Sequence, residues 1–388
     1  MGHVLGSIAL SRPDAVSVWH DAEVRKRLSW YRHVMLQEFP AKFILCRKIA
    51  AQFSASKMSE DALWTEHHRL SVLLCNLISD IMSSSVDHRK LKDQHPNLLD
   101  LKSELVNRML EHCNFCEWNC RVNRAQGKIG FCRLDKTATV HSYFHHYGEE
   151  APLIGVEGMG GSGTIFFESC NSRCVFCQNW DISQSASNTS LRGEDVTPIR
   201  VAEIADDLAG SGAANINYVG GEPTADLHVI VNSLKHLKSS VPLIWNSNMY
   251  CTTQTMEILS GVIDLWLPDF KFWREECAKR LMLLGAKASY PAVARRNHVF
   301  AADHGSMIIR HLVMPGHLEC CTKPILNFIA QTVGERVLVN VMAQYHPANL
   351  VARSPERYPD IARSPSRDEI QQAYAYARSL NLQFEQIS

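Results

Sequence analysis

Hydrophobic and polar positions divide the chain into two regimes. Up to about residue 110 the apolar positions recur at helical spacing: Leu70, Leu73, Leu74, Leu77, Ile78 and Ile81 form one broad stripe, and Leu98, Leu101, Leu105 and Met109 another. That three-to-four-residue repeat predicts helices with one buried face. Between the stripes Ser83, Ser84 and Ser85 open a polar run that continues to Pro96 and reads as a loop. From Thr164 onward the pattern shortens to apolar runs of strand length at 164–168, 215–219, 243–246, 262–267, 307–313 and 337–342, with helical segments between them. Thr197 before Pro198, with Gly210 at the far end, brackets one of those helices.

Six strand-helix units over roughly 180 residues allow about 30 residues each, the size of a βαβ unit. Eight would be cramped, so the pattern predicts an α/β fold, an open partial (β/α)6 barrel of the TIM type whose ligands sit at the carboxyl ends of the strands. After it Pro355, Pro359 and Pro365 mark a loop, and Ser366 with Glu369 in capping-box spacing starts a last helix with Ile370, Ala373, Tyr374, Ala377 and Leu380 on one face. The expected organisation is a helical region at 1–110, a connecting segment with four cysteines at 111–163, the barrel at 164–350, and the proline-rich loop and C-terminal helix at 351–388.

Composition narrows the classes. The 388 residues are 46% hydrophobic and 21% charged, ordinary globular usage that excludes disordered, collagen-like and coiled-coil chains. Lys plus Arg and Asp plus Glu both number 40, so no net basic field of the kind that drives nucleic-acid binding exists. The run at 70–82 is broken by Asn76 and Asp80 and is too short to span a bilayer. Residues 4–10 lack the basic flank of a signal peptide, and Gly6 stands where a myristoylation signal needs Ser or Thr. The expectation is a cytoplasmic protein with no membrane partner.

Thirteen cysteines are too dilute for a disulfide scaffold, and seven of them cluster. Cys46, Cys75, Cys251, Cys277, Cys320 and Cys321 are scattered and read as core residues. Cys170-Asn-Ser-Arg-Cys174-Val-Phe-Cys177 directly follows the first barrel strand. Three thiolates on one tight loop, with no fourth cysteine close by, suit three irons of a 4Fe-4S cluster and leave one iron open; a zinc reading needs a histidine to complete the set. Cys113-x2-Cys116-x3-Cys120-x11-Cys132, turned by Gly127 and Gly130, forms the two arms of a knuckle for zinc or an auxiliary iron-sulfur cluster. His141 and His145 form an i, i+4 pair beside His146, a spacing that chelates metal on a helix. No Glu lies between them, and supporting or surface roles are expected. Gly220-Gly221-Glu222-Pro223-Thr224 closes the second strand, with two glycines that let a ligand come close to the backbone and a carboxylate suited to an ammonium group.

At the cysteine loop the sequence resembles the radical S-adenosylmethionine (SAM) superfamily, whose signature is Cys-x3-Cys-x-aromatic-Cys, with Phe176 in the aromatic place. The resemblance runs over roughly 164–347. It implies that SAM chelates the open iron, that the reduced cluster cleaves it to methionine and a 5′-deoxyadenosyl radical, and that this radical abstracts hydrogen from a substrate. The cofactor carries that chemistry, and the protein supplies placement and dryness. Gly220, Gly221, Glu222 and Pro223 are similar to the segment that binds the SAM amino group in this family.

Asn179 just past the last cluster cysteine, Asp269 and Lys271 after the fourth strand, Arg310 on the fifth and His346 after the sixth resemble the subgroup of glycyl-radical-enzyme activases, such as the pyruvate formate-lyase activating enzyme. The resemblance implies that Asp269, Lys271, Arg310 and His346 line the SAM and substrate cavity, and that a flavodoxin or ferredoxin supplies electrons. Residues 245–250, Trp-Asn-Ser-Asn-Met-Tyr, depart from the activases' Asp-Thr-Asn-Gly segment, which weighs against a glycyl-radical target. The chain looks most like a branch of that subgroup marked by the runs 145–150 and 161–167. Radical modification of another protein, an RNA or a small molecule is the competing reaction, and a non-catalytic iron-sulfur or zinc module is the reading from another class.

Overall fold

Each of the six apolar runs contributes a strand to one parallel array. The computed structural model describes residues 12–184, 192–282 and 288–388. Its sheet comprises β1 (Ala138–His146), β2 (Ser162–Phe167), β3 (Glu194–Val196), β4 (Asn215–Gly220), β5 (Leu243–Ser247), β6 (Leu265–Pro268), β7 (Ser306–Leu312) and β8 (Leu338–Met342). Their order is β3-β1-β2-β4-β5-β6-β7-β8. From β2 to β8 every neighbour is parallel, and among the described residues β3 and β8 are unjoined edges, so the barrel is open and partial as the repeat length predicts.

The run at 262–267 is half strand. Val262 and Ile263 close the turn after a helix, donating to Leu259 O at 2.9 and 3.0 Å, and are buried there. An apolar run records burial, and burial alone does not separate a strand from a packed turn.

Two strands lie outside the repeat. β1 pairs antiparallel with β2 and with β3, so His141, His145 and His146 stand on a strand and not on a helix. Four strand residues span about 13 Å, which parts the i, i+4 pair. His141 Nδ1 lies 3.2 Å from Glu168 Oε1, His145 bonds Gly160 O at 2.7 Å and Ser211 Oγ at 2.8 Å, and His146 Nδ1 lies 3.0 Å from Glu149 Oε1. Pairing with β2 decides the conformation, which spacing within one segment cannot reveal.

The helices that matter below are α1 (Glu60–Met82), α2 (Leu98–Glu111), α3 (Pro198–Gly210), α4 (Leu227–Ser233), α5 (Thr253–Ser260), α6 (Glu275–Leu281), α7 (Tyr290–His304), α8 (Lys323–Thr332) and α9 (Arg367–Ser379). Helix α3 begins at the expected cap, where Thr197 Oγ1 accepts from Arg200 N–H, and α9 carries the expected capping box. The stripe on α2 is buried as read, whereas α1 buries Leu70, Leu74 and Ile81 but leaves Leu73 43% exposed.

The N-terminal segment also seals the end of the barrel opposite the cysteine loop. Trp30 Nε1 and Lys42 N–H both donate to Asp264 Oδ1, at 2.8 and 3.0 Å, just before β6. Asn215, opening β4, donates to Tyr31 Oη at 2.9 Å and to Leu153 O at 2.7 Å. Among the described residues the large cavity lies at the other, carboxyl end of the strands. Among the described residues no helix is long and apolar enough to cross a membrane.

Candidate active site

The cysteine loop turns sharply because two non-glycine residues accept left-handed backbone, Ser169 at φ 73° and Arg173 at φ 53°, a conformation that surrounding structure must hold in place. The turn sets Cys170, Cys174 and Cys177 on the wall of a cavity of about 950 Å3 at the carboxyl ends of the strands. Burial pushes the Cys170 thiol up to about 12, with Glu222 adding to the effect, and raises Cys174 and Cys177 as well. Three thiols crowded against one cavity become thiolates when a metal binds, and this donor set fits three irons of a 4Fe-4S cluster. Ser172 N–H lies 3.3 Å from Cys170 Sγ, and Ser183 Oγ is 3.3 Å from Cys177 Sγ; such contacts tune a cluster. Phe176 lines the cavity and packs on Phe272 and Tyr345 at ring distances of 5.9 and 6.2 Å. Asn179 lines it too, at the start of a short helix.

The glycine pair serves the loop directly. A Cβ on Gly221 would stand 1.7 Å from Ser169 O, and one on Gly220, at φ +124°, would stand 2.1 Å from Phe167 O. The close approach read from the sequence as one between backbone and ligand is thus first an approach of β4 to the cysteine loop, although both glycines also line the cavity. Glu222 is buried and fully engaged: Oε1 accepts from Thr224 N–H at 3.2 Å, Thr224 Oγ1 at 2.6 Å and Ser247 Oγ at 2.7 Å, while Oε2 accepts from Asn248 N–H at 2.8 Å. Burial raises its carboxyl against the pull of those donors. Pro223 is buried at the start of a 3-10 turn and does not line the cavity.

The departing segment 245–250 proves central. Asn246, Ser247 and Asn248 all line the cavity. Asn246 Oδ1 accepts from Arg310, and Asn248 Nδ2 donates to Asn171 Oδ1 and Ser172 Oγ, both at 2.8 Å. The departure from Asp-Thr-Asn-Gly is thus a replacement more than a loss, and three polar residues at a strand's carboxyl end are a signal in their own right.

Asp269, Lys271 and Arg310 meet on the cavity wall. Arg310 Nε donates to Asp269 Oδ1 at 2.9 Å, and Lys271 Nζ donates to Asp269 Oδ2. Burial works to raise the Asp269 carboxyl, but the two cations overcome it and hold the group below the ordinary carboxylate range. Burial likewise works against the Lys271 ammonium, and Asp269 together with Cys174 more than restores it. His346 is apart from this group: it is exposed, outside the cavity lining, and its Nδ1 lies 3.0 Å from Gln178 Nε2. β8 ends at Met342, and the chain has left the rim by residue 346.

The floor of the cavity holds two carboxylates not singled out as site residues from the sequence. Glu149 Oε1 accepts from Asn217 Nδ2 at 3.0 Å, and Glu150 Oε1 accepts from Asn340 Nδ2 at 2.9 Å. Among the described residues Glu150 Oε2 has no hydrogen-bond partner, although the residue is only 7% exposed. Burial pushes the Glu150 carboxyl up, with Arg310 opposing and Glu149 reinforcing. The Glu-Glu pair at the end of the 145–150 run was the available signal.

The four-cysteine knuckle packs on the back of the cysteine loop. Trp118 Nε1 donates to Asn171 O at 2.7 Å, Trp118 stacks on Phe131 at 3.5 Å, and Arg173 lies over Phe131 while donating to its carbonyl at 2.6 Å. Cys113 N–H donates to Val122 O and Cys113 O accepts from Arg121 N–H, both at 3.0 Å across the turn, and Phe131 N–H lies 3.3 Å from Cys120 Sγ. Burial raises Cys116 and Cys132. Among the described residues two groups bring three or more donor atoms within 4.8 Å of one another, and neither the knuckle set of Cys113, Cys116, Cys120 and Cys132 nor the loop set of Cys170, Cys174 and Cys177 is one of them. One group is His67, His68 and Glu257; the other is Cys277, His317, Cys320 and Cys321. Three of the six cysteines read as scattered core residues therefore converge, because the turns after β6 and β7 are adjacent in space while their cysteines are far apart in sequence.

A family model of the radical SAM superfamily matches residues 164–329. The chain is 38% identical over 359 residues to the uncharacterized protein MJ0674 of Methanocaldococcus jannaschii, a match that covers 92% of this chain and 98% of that protein. MJ0808 of the same archaeon is 28% identical over 122 residues, 29% of this chain and 35% of its own length. Among solved structures, SuiB of Streptococcus suis bound to the precursor peptide SuiA covers 56% of this chain at 15% identity and a TM-score of 0.38, and this chain spans 45% of it. SuiB bound to S-adenosylmethionine covers 56% at 16% identity and a TM-score of 0.37, with 47% of that chain spanned. With three cysteines turning off β2, a glycine pair closing β4 onto them, and a match that runs from β2 to the helix before β8, the chain belongs to the radical SAM superfamily.

Proposed function

We propose that the protein is a radical SAM oxidoreductase whose Cys170, Cys174 and Cys177 hold a 4Fe-4S cluster and whose substrate occupies the same cavity. The observation that carries this reading is the opening of two buried thiols, Cys170 and Cys174, and the partly buried Cys177 onto one space shared with Asp269, Lys271, Arg310, Glu149 and Glu150. At about 950 Å3 it stands at the upper end of ligand pockets, roughly 300–1,000 Å3, with room for more than one small molecule. When bound, the cluster and SAM supply an electron and a 5′-deoxyadenosyl radical for hydrogen abstraction.

The chain's own residues place and shield. Glu222, engaged with Thr224, Ser247 and Asn248, locks the ends of β4 and β5 behind the cysteine loop. Asp269 neutralises one of the two cations beside it, so Lys271 and Arg310 together present net positive charge suited to a carboxylate. The Glu149–Glu150 floor suits a cationic group. Phe176 and Phe272 keep the region behind the loop dry.

As substrate, a glycine of a partner enzyme draws support from the meeting of Asp269, Lys271 and Arg310, while the 245–250 segment weighs against it. Modification of another protein, an RNA or a small molecule is the second reading, favoured by Glu150: a glycyl backbone brings no cation to a buried, unpartnered carboxylate oxygen. A flavodoxin or ferredoxin supplies the electron, and the knuckle at Cys113, Cys116, Cys120 and Cys132 holds zinc or a second cluster. A non-catalytic module has no use for the cavity's paired charges.

The test is anaerobic. The protein is loaded with iron and sulfide, reduced and given SAM, and 5′-deoxyadenosine and methionine are assayed with and without candidate substrates. Equimolar products that vanish in Cys174→Ala are expected. A loaded, reduced protein that binds SAM and leaves it intact under every condition overturns the proposal.

A further inference from the structure

We infer that Cys277, His317, Cys320 and Cys321 form a structural zinc site that clasps α6 to the turn after β7. Cys277 stands on α6 and the other three follow β7, with Cys320 and Cys321 inside a π-helical turn at Leu318–Thr322. Such turns are rare and concentrate at functional sites.

The four donor atoms lie within 4.8 Å of one another, with Cys320 Sγ 3.4 Å from His317 Nδ1 and 3.8 Å from Cys321 Sγ. Tetrahedral zinc with Zn–S near 2.3 Å spaces its sulfurs about 3.8 Å apart, so the set needs little adjustment to close on an ion. His317 is prepared for the role from behind. Its Nδ1 faces the thiols, while Nε2 lies 3.1 Å from Asp360 Oδ2, and Arg280 pairs with the same carboxylate. A carboxylate behind a ligating histidine fixes the ring's tautomer and orientation and raises its basicity. Three thiols and one imidazole favour zinc over the oxygen-preferring cations, and four protein ligands describe a closed, structural site.

None of the four residues lines the cavity, so the site is separate from the one described above and does not depend on the reading of the reaction. Its position gives it a task. Leu281, the last residue of α6, accepts from Val175 N–H of the cysteine loop at 2.9 Å, and Phe272 lies between His317 and Phe176 at ring distances of 6.1 and 5.9 Å. An ion joining α6 to the β7 turn braces the wall on which the cysteine loop leans.

Cys277 and Cys320 are partly exposed, which makes the site readable in the unaltered protein. Holoprotein prepared with zinc is treated with an alkylating reagent before and after a zinc chelator, and the labelled cysteines are mapped by mass spectrometry. The expected result is protection of Cys277 and Cys320 until the chelator is added, together with release of zinc. Cys277→Ser is expected to carry one zinc fewer per chain than the parent at unchanged iron content, and Cys320→Ser reads the same loss if the first variant folds poorly. Equal labelling of Cys277 and Cys320 with and without chelator overturns the inference, as does an unchanged zinc count in a folded variant.

Discussion

The side-chain amide of Asn248 donates to Asn171 Oδ1 at 2.8 Å, so the end of β5 is fastened to the loop that carries the three cysteines. The same residue donates its main-chain N–H to Glu222, which closes β4. Asn248→Ala removes the side-chain donor and leaves buried Asn171 and Ser172 short of a partner, a loss of about 1–3 kcal/mol. Reduced stability to urea and lower iron per chain after loading are expected together. A variant with parental stability and iron content shows the fastening to be dispensable.

Gly221 meets the same loop by contact alone. In Gly221→Ala the new methyl must displace Ser169 O, which lies 1.7 Å from its position, and the displaced backbone carries Cys170. Iron loading should fall sharply. Gly210→Ala is the matched control: its Cβ meets nothing within 4 Å at the end of α3, and it should load iron normally and gain up to about 1 kcal/mol of stability. Iron measured in parallel on the two variants separates a local clash from a general intolerance of added methyls.

How far the sequence reached is visible in these residues. Cys170, Cys174, Cys177, Gly220, Gly221 and Glu222 were legible because each lies within a few residues of its partners in the motif and at the end of an apolar run. Asn248 and Glu150 stood out only as a polar and an acidic residue within their runs, and the Cys277–His317–Cys320–Cys321 group did not stand out at all. Their meaning depends on which strand ends and turns become neighbours across the sheet, and sequence spacing carries no record of that. β1 escaped for the same reason, since its nine residues are a strand by virtue of pairing with β2.

Glu150 ties stability to pH with a definite sign. Burial raises its carboxyl in the folded state above the unfolded value, so the folded chain binds the proton more tightly, and stability is lost as pH rises from about 4.3 through the folded value. Glu149 beside it, Arg310 on β7 and the titratable His146 on β1 lie in its surroundings, and Asn340 on β8 gives it polar support. Glu150→Gln should therefore be more stable than the parent at neutral pH, with the difference closing as the medium becomes acidic. Thermal denaturation across pH measures it; a variant less stable at neutral pH shows that Arg310 outweighs burial.

His346 and Asp269 were expected in one cavity wall, and their settings now predict opposite outcomes. His346 is exposed and touches Gln178, so His346→Ala should alter stability by no more than ~0.5 kcal/mol and leave SAM cleavage near the parental rate. Asp269→Asn keeps the shape of the side chain but strips the counter-charge from Lys271 and Arg310, whose side chains are 22% and 16% exposed. Breaking a buried pair from one side costs about 3–5 kcal/mol because the partner charge stays behind, and here two cations are left. Asp269→Asn should lower the melting temperature and weaken SAM cleavage, and the double variant Asp269→Asn with Lys271→Met should recover stability by removing one stranded cation while cleavage stays low. If cleavage returns with stability, the triad only holds the wall in place; if stability alone returns, its charges act on what the cavity binds.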